Sequence, residues 1–374
     1  MIATADLHIH SLFSMAASKN TSPDSLLNAC LIKGIDVLGS GDALHPVWRE
    51  MWMNNLENSQ NVTVIPSAEV EGKGKVHHLI LMEDFEQAKN IADIFRMNSK
   101  NIDKAGRPNV SLTGEKIAEI VHNEGAMIGP AHAFTPWTGL YGRYDSTREC
   151  YGEEKIDFLE LGLSADTSYG EGIPEIDGIT FLSNSDAHSA LLNKLGREFN
   201  RIDIRSKKTA DILKSIKDGQ VTLNAGFFPE EGKYNQTACT RCYKHYSLEK
   251  ADLFSWKCPE DGGKIKMGVY DRAMKMSDNS HKKCSRPPYI HIIPLGDIIQ
   301  KVLGLSSPNS KRCQVVYEEL IENLGTEINI LLDVPYDEIF SCNEKIASAI
   351  KKFREGNLRL YPGGGGMYGS FDLS

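Results

Sequence analysis

The 374-residue chain has no excess of positive charge: 42 Lys plus Arg stand against 50 Asp plus Glu, a formal net charge of -8. That excludes a uniform basic coat for non-specific nucleic-acid binding. No apolar run approaches the roughly 18 residues of a membrane helix. Met1 to His10 has neither the basic nor the apolar region of a secretory signal, so a cytoplasmic protein is expected. No internal repeat is evident, which argues against solenoid arrays. Eight cysteines in a chain of this size that is expected to be intracellular read as reduced thiols or metal ligands rather than disulfides.

What the chain does have is 41% hydrophobic and 25% charged residues, enough to bury at least one large core and to divide into two or three domains. Eight of its 11 histidines lie before residue 190, whereas three cysteines cluster between 239 and 258. Over the first 190 residues strand and helix signals alternate. Ser22-Pro23 opens a helix that Gly34 closes, and a strand reading, Ile35 to Gly39, follows. Further strands are expected at Val62 to Ile65, Val76 to Leu81, Met127 to Ile128, Phe158 to Leu161 and Ile179 to Leu182, with helices at about Glu86 to Phe95 and Glu115 to Asn123. This order predicts an α/β fold with a largely parallel sheet or barrel. The C-terminal part reads as helices at 295–303, 312–324 and 343–355, with Ile328, Ile330 and Leu332 alternating like a short strand. The tail Gly363 to Gly366 reads as a mobile low-complexity segment, with a glycine backbone near phosphate as the alternative.

Asp6-Leu7-His8-Ile9-His10-Ser11 places two imidazoles on an extended segment, both projecting to one face. Its companions are Asp42 with His45, Glu69, the pair His77-His78, His132, and Asp186 with His188, most of them just past an expected strand end. In a barrel those ends share one face. Together they supply imidazoles and carboxylates in the proportions of a multinuclear hydrolytic site, in which carboxylates bridge cations and imidazoles fix them. His78 is preferred over His77 because it shares strand parity with Val76 and Ile80. Glu160 reads as a carboxylate supporting a ligand, and His122 as an ordinary helical histidine.

This set, in this order, resembles the polymerase and histidinol phosphatase (PHP) superfamily over residues 1 to about 225. The resemblance implies a distorted (β/α)7 barrel and two or three divalent metals, Zn, Mn or Mg. Carried over by position, it implies His8, His10, Glu69 and Asp186 around one metal, with Glu69 bridging to a second held by His78 and His132. A third would use His45 and His188, with Asp42 as a further candidate. His10, Asp186 and His188 are then the residues whose loss should abolish catalysis. The chain departs from many members at Phe13-Ser14-Met15, where a His or Asp is common.

Residues 231 to 286 hold 12 Lys plus Arg against seven Asp plus Glu, a local balance of +5 in an acidic chain. Within them Cys239-Thr-Arg-Cys242 and Cys258-Pro-Glu-Asp261 have the spacing of a zinc ribbon whose fourth ligand is Asp261 rather than cysteine. Asp261 or His245 completes the site, or the zinc has been lost; retained zinc is favoured. The expected organisation is a catalytic barrel at 1–228, a basic ribbon-like module at 229–286 and a short, mainly helical C-terminal domain at 287–374.

The resemblance extends to the endonuclease Q family through Gly41-Asp-Ala-Leu-His-Pro46, Gly129-Pro-Ala-His-Ala-Phe-Thr-Pro136, Leu161-Gly-Leu-Ser-Ala-Asp166, Lys194-Leu-Gly-Arg-Glu-Phe-Asn200, the ribbon and the Pro362 to Gly369 tail. It implies a nuclease that nicks DNA 5′ to deoxyuridine, deoxyinosine, deoxyxanthosine or an abasic site, bringing the lesion out of the stack. Trp137, Tyr141 and Arg143 in one loop, together with Arg197, are candidate substrate contacts. A small-molecule phosphoesterase of histidinol-phosphatase type is the alternative enzyme. A non-enzymatic ribbon adaptor is the third reading. No clamp-binding motif stands in Tyr368 to Ser374, so a replication-clamp partner is unsupported.

Overall fold

The structure is a computed structural model that describes residues 1–59, 61–278, 280–281 and 284–373. Ten strands build the N-terminal body: β1 (Ile2–Asp6), β2 (Val37–Gly39), β3 (Thr63–Ile65), β4 (Ser67–Glu71), β5 (His77–Leu81), β6 (Met127–Pro130), β7 (Phe158–Glu160), β8 (Thr180–Leu182), β9 (Phe199–Asp203) and β10 (Val221–Gly226). Strands β1, β2 and β3 pair in parallel, as do β7 and β8, whereas β4-β5-β6 and β1-β9-β10 are antiparallel. Hydrogen bonds from Ala43 to Ser67 and from Ala133 to Glu160 bridge the separate sheets into a distorted barrel. The expected largely parallel sheet is thus a mixed one. Short connections such as Pro66 and the 72–76 turn are too brief for helical crossovers and force antiparallel returns.

Alternate strand residues face two cores. Ala5, Val37, Leu79, Leu81, Phe158 and Leu182 share one with Ile212 and Ile216 of the helix Thr209–Lys217. Their neighbours Leu38, Val70, Ile80, Ile128, Leu159 and Phe181 pack against the surrounding helices. Among these, Pro23–Lys33 begins as expected: Ser22 caps it through a capping box, Pro23 supplies the first turn and Gly34 ends it with φ 86°.

The cysteine module pairs β11 (Ala238–Cys239) with β12 (Ile265–Lys266) around a small core of its own that includes Tyr246 and Ala251. Beyond residue 286, β13 (Tyr289–His291) joins β10 in parallel as the edge of the barrel's main sheet, so the mainly helical segment begins by extending the barrel. The helices Leu295–Val302, Lys311–Leu324, Glu327–Leu332, Tyr336–Cys342 and Glu344–Glu355 then pack into the barrel's helix-layer core.

Two expectations about this end of the chain are corrected. Residues Ile328 to Leu332 form a helix, not a strand. Glu327, Ile328, Ile330 and Leu331 are all buried, and Glu327 accepts from Lys33 of a barrel helix and from the Leu295 amide at the start of the helix Leu295–Val302. The glycine tail is docked rather than mobile. Gly363 to Gly365 are buried, Gly363 donates to the Glu230 carbonyl and Gln236 donates to that of Gly363, within the loop that joins β14 (Arg359–Tyr361) to its antiparallel partner β15 (Ser370–Asp372). Among the described residues, no helix is long and apolar enough to cross a membrane.

Candidate metal centre

Seven side chains converge at one end of the barrel: His8, His10, Glu69, His77, His132, Asp186 and His188 form three overlapping groups, the ligand atoms of each within 4.8 Å of one another. Glu69, on β4, lies at the middle. Its Oε1 is 2.7 Å from His77 Nδ1 and 2.9 Å from His132 Nε2, while its Oε2 is 3.4 Å from His10 Nε2 and 3.9 Å from His8 Nε2. Asp186 Oδ1 faces His10 Nε2 at 3.1 Å, His188 Nε2 at 3.5 Å and His8 Nε2 at 3.8 Å. Glu69 thus belongs to two of the groups, as a carboxylate shared between two cations would, and Asp186 belongs to the third.

The donor set fits divalent cations. The Nε2 atoms of His8 and His10, together with Asp186 Oδ1, are buried without a hydrogen-bond partner. Burying such groups unpaired is costly. In the protein without cations, the carboxylates hold the rings protonated instead. Burial would lower the His8 pKa, but Glu160, Glu69 and Asp186 outweigh it and raise it to about 9. Burial likewise works against ionisation of Glu69, yet His77, His10 and His132 hold its carboxyl well below the usual range. Cation binding must therefore release protons from these rings.

Supporting carboxylates fix the rings from behind. Glu160 takes His8 Nδ1 at 2.9 Å and also accepts from the His132 amide and the Asn184 side chain. Asp42 takes His10 Nδ1 at 3.1 Å and accepts from the Ser11 amide, the Ser11 hydroxyl and the Ser14 hydroxyl. Such partners set the tautomer of a ligating imidazole and raise its basicity. His132, Asp186 and Asp42 all adopt left-handed backbone, with φ of 33°, 46° and 47°. Non-glycine residues hold that conformation at a cost of about 1–3 kcal/mol, and such strain clusters at functional sites.

Three sequence-based ligand assignments are corrected. His77, not His78, joins the cluster. On β5, His77 shares the inward face with Leu79 and Leu81, whereas His78, with Val76 and Ile80, points into the helix layer, where its Nδ1 meets the Tyr151 hydroxyl at 2.8 Å. Burial, and then the neighbouring His77, push the His78 pKa down to about 3, so it is held neutral. Asp42 lies behind His10 rather than among the ligand atoms. His45 caps the helix Pro46–Met53 by accepting from the Trp48 amide and stacks on Phe13 at 3.9 Å, outside the ligand groups.

One residue goes unnoticed in the sequence. Arg107 places Nη1 3.0 Å from Glu69 Oε2, and its side chain is 23% exposed at the rim of the cluster. The only signal was Gly106-Arg107-Pro108, a loop tripeptide with no periodicity.

The candidate substrate contacts divide. Trp137 is 46% exposed, with the Lys266 ammonium 3.0 Å above its ring. Arg197 donates to the Ser185 carbonyl at 2.8 Å, beside Asp186. Both line a cavity of about 550 Å³ with Phe227, Lys233, Tyr234 and Tyr368. Arg143 is exposed and donates to the Trp137 carbonyl, holding the turn that presents the indole. Tyr141 is corrected: it is buried, its hydroxyl donates to Glu175 and its ring packs on Phe134, so it cannot stack on a base.

In the ribbon, the ligand atoms of Cys239, Cys242, Cys258 and Asp261 lie within 4.8 Å of one another. Cys239 Sγ is 3.4 Å from Asp261 Oδ1 and Cys242 Sγ is 3.6 Å from Cys258 Sγ. His245 is not in this group; its backbone bridges to Ala238.

Comparison with known proteins follows the same outline. Residues 294–357 match the family described as MJ0043 C-terminal domain. Over 249 residues, 65% of the chain, there is 44% identity to the uncharacterized protein MJ0043 of Methanocaldococcus jannaschii; the match spans only 31% of that longer relative. The uncharacterized protein YqxK of Bacillus subtilis is 31% identical over 98% of both chains. Among solved structures, the lesion-specific endonuclease PfuEndoQ from Pyrococcus furiosus superposes with a TM-score of 0.95 at 42% identity, covering 99% of this chain and 95% of that one. An endonuclease Q bound to a 27-mer duplex with an abasic lesion at the active site superposes at 0.92, also at 42% identity, covering 100% and 97%.

Proposed function

The chain belongs to the endonuclease Q family, and on that premise we propose that it is a metal-dependent DNA endonuclease nicking the phosphodiester 5′ to a deaminated base (deoxyuridine, deoxyinosine, deoxyxanthosine) or an abasic site. The observation that carries this reading is the convergence of seven ligand-type side chains on the two carboxylates Glu69 and Asp186, with unpartnered buried ring nitrogens aimed between them. His8, His10, Glu69, His77, His132, Asp186 and His188 would hold two or three divalent cations, Zn, Mn or Mg. When bound, these supply Lewis-acid chemistry that lowers the pKa of an attacking water and offsets charge on the phosphate.

The protein's own groups bind and orient. Glu160 and Asp42 keep the second nitrogens of His8 and His10 occupied, so that each ring presents Nε2 to the cluster. Arg197 braces the Ser185-Asp186 backbone. Trp137, Tyr234 and Tyr368, interleaved with Lys233 and Lys266, give the adjoining cavity the aromatic faces and cations that suit an unstacked nucleotide and its phosphates. A structural zinc on Cys239, Cys242, Cys258 and Asp261 would brace the basic ribbon beside this cavity.

A duplex carrying one deoxyinosine, deoxyuridine or abasic site, incubated with the protein and Mn or Mg, is expected to be nicked on the 5′ side of the lesion. Intact strands across metals and salts, together with turnover of phosphate monoesters, would replace this reading with that of a small-molecule phosphoesterase.

A further inference from the structure

Arg107 lies in a strap that is clamped on both sides. Gly106 donates to the Phe13 carbonyl at 3.2 Å, and on the far side Glu71 donates to Pro108 while Val110 donates back to Glu71, at 3.0 and 2.8 Å. The Asn109 side chain adds a bond to Glu71 Oε1 at 2.6 Å. At Gly106 a Cβ would lie 2.0 Å from Asp42 Oδ2 and 2.4 Å from Ser14 Oγ, so only glycine lets the strap press onto the layer behind His10. Pro108 in turn biases Arg107 toward extended backbone. The strap therefore brings its arginine to the cluster, where, among the described residues, it is a cationic side chain that cannot act as a ligand and yet touches Glu69.

The contact with Glu69 uses little of what the guanidinium offers. Of its guanidinium nitrogens, Nη1 donates to Glu69 at 3.0 Å, and among the described residues the guanidinium makes no second hydrogen bond. The side chain is 23% exposed, so part of it is open to solvent. A planar, permanently charged fork suits the paired oxygens of a phosphate, whereas neutralising one carboxylate would need only a point charge. Glu69 already faces four imidazoles.

Resting on the endonuclease reading, we propose that Arg107 binds a non-bridging oxygen of the scissile phosphate and orients it over the cluster. The test compares wild type, Arg107→Lys and Arg107→Met on the abasic duplex, with metal content measured on each purified protein. Arg107→Met is expected to lower kcat/KM about 10²–10³-fold, with metal content unchanged and activity partly restored by added guanidinium. Arg107→Lys should fall between the two, since a point charge replaces the fork. Binding of inorganic phosphate to the loaded proteins, by calorimetry, gives a readout independent of nicking and should weaken about tenfold or more in Arg107→Met. Metal content falling in step with activity, without guanidinium rescue, would overturn the proposal in favour of a role in seating Glu69. So would phosphate binding equal to wild type. If wild type binds phosphate through Arg107 but nicks no lesion, it is the endonuclease reading that fails.

Discussion

Lys33 and Glu327 form an ion pair at 2.6 Å, each side chain 1% exposed, joining a barrel helix to the C-terminal helices. Glu327 also accepts from the Leu295 amide at 3.1 Å and from the Tyr317 hydroxyl at 2.6 Å; Lys33 also donates to the Leu192 carbonyl at 2.9 Å. At an effective dielectric of 20 the two charges attract by about 6 kcal/mol, which desolvation of both largely offsets, so the intact pair adds little net stability. Truncating one partner is different. Glu327→Ala leaves an ammonium buried with one carbonyl and strips acceptors from Leu295 and Tyr317, for an expected loss of about 3–5 kcal/mol. Urea unfolding measures this, and hydrogen exchange at the Leu295 amide reports the local release. Replacing both partners together, Lys33→Met with Glu327→Leu, should cost less than Glu327→Ala alone, because no charge remains to be stranded. A loss under about 1 kcal/mol for Glu327→Ala with Leu295 still protected, or a double variant worse than the single, would refute this account of the joint.

Three further outcomes are expected. His77→Ala should lower bound metal and nicking together, whereas His78→Ala should lose stability while keeping its metal; elemental analysis beside thermal melts separates them. Glu160→Gln should weaken metal affinity about 10–100-fold without removing a ligand, read by chelator competition. Burial raises the Glu231 pKa to about 7. A folded-state value above the unfolded one favours the protonated form, so this group's stabilisation is full below about pH 4.5 and is lost as pH rises toward 7. Glu231→Gln should flatten that part of the stability profile measured by urea titration.

Local chemistry explains which parts were legible in the sequence. Ser22-Pro23 and Gly34 bound their helix because capping and φ restriction act within one turn, and the structure reproduces both ends. His8, His10, Glu69, His132, Asp186 and His188 stood out because few roles but ligation suit so many imidazoles and carboxylates at successive strand ends, and they do converge. The three ribbon cysteines were legible from spacing, as both knuckles are local turns, whereas the fold brought Asp261 and not His245 beside them.

Where two neighbours had equal chemistry, only the fold could choose between them. His77 and His78 differ by one residue, and a one-residue step on a strand reverses the face; which face is inward depends on how β4, β5 and β6 close the barrel. Asp42 and His45 carry ligand chemistry, but the turn that places Asp42 behind His10 and His45 at a helix start is a matter of three-dimensional path. Ile328, Ile330 and Leu332 fit either period over so short a span; a buried lysine 294 positions away, bonded to Glu327, accompanies the helical outcome. Arg107 had no pattern at all, since a single loop arginine acquires meaning only when a glycine lets its strap press against the residues behind His10. Residue type and short-range spacing thus named the chemistry of this chain. Long-range closure of the barrel assigned that chemistry to particular side chains, because orientation at a strand end or loop is set by partners far away in sequence.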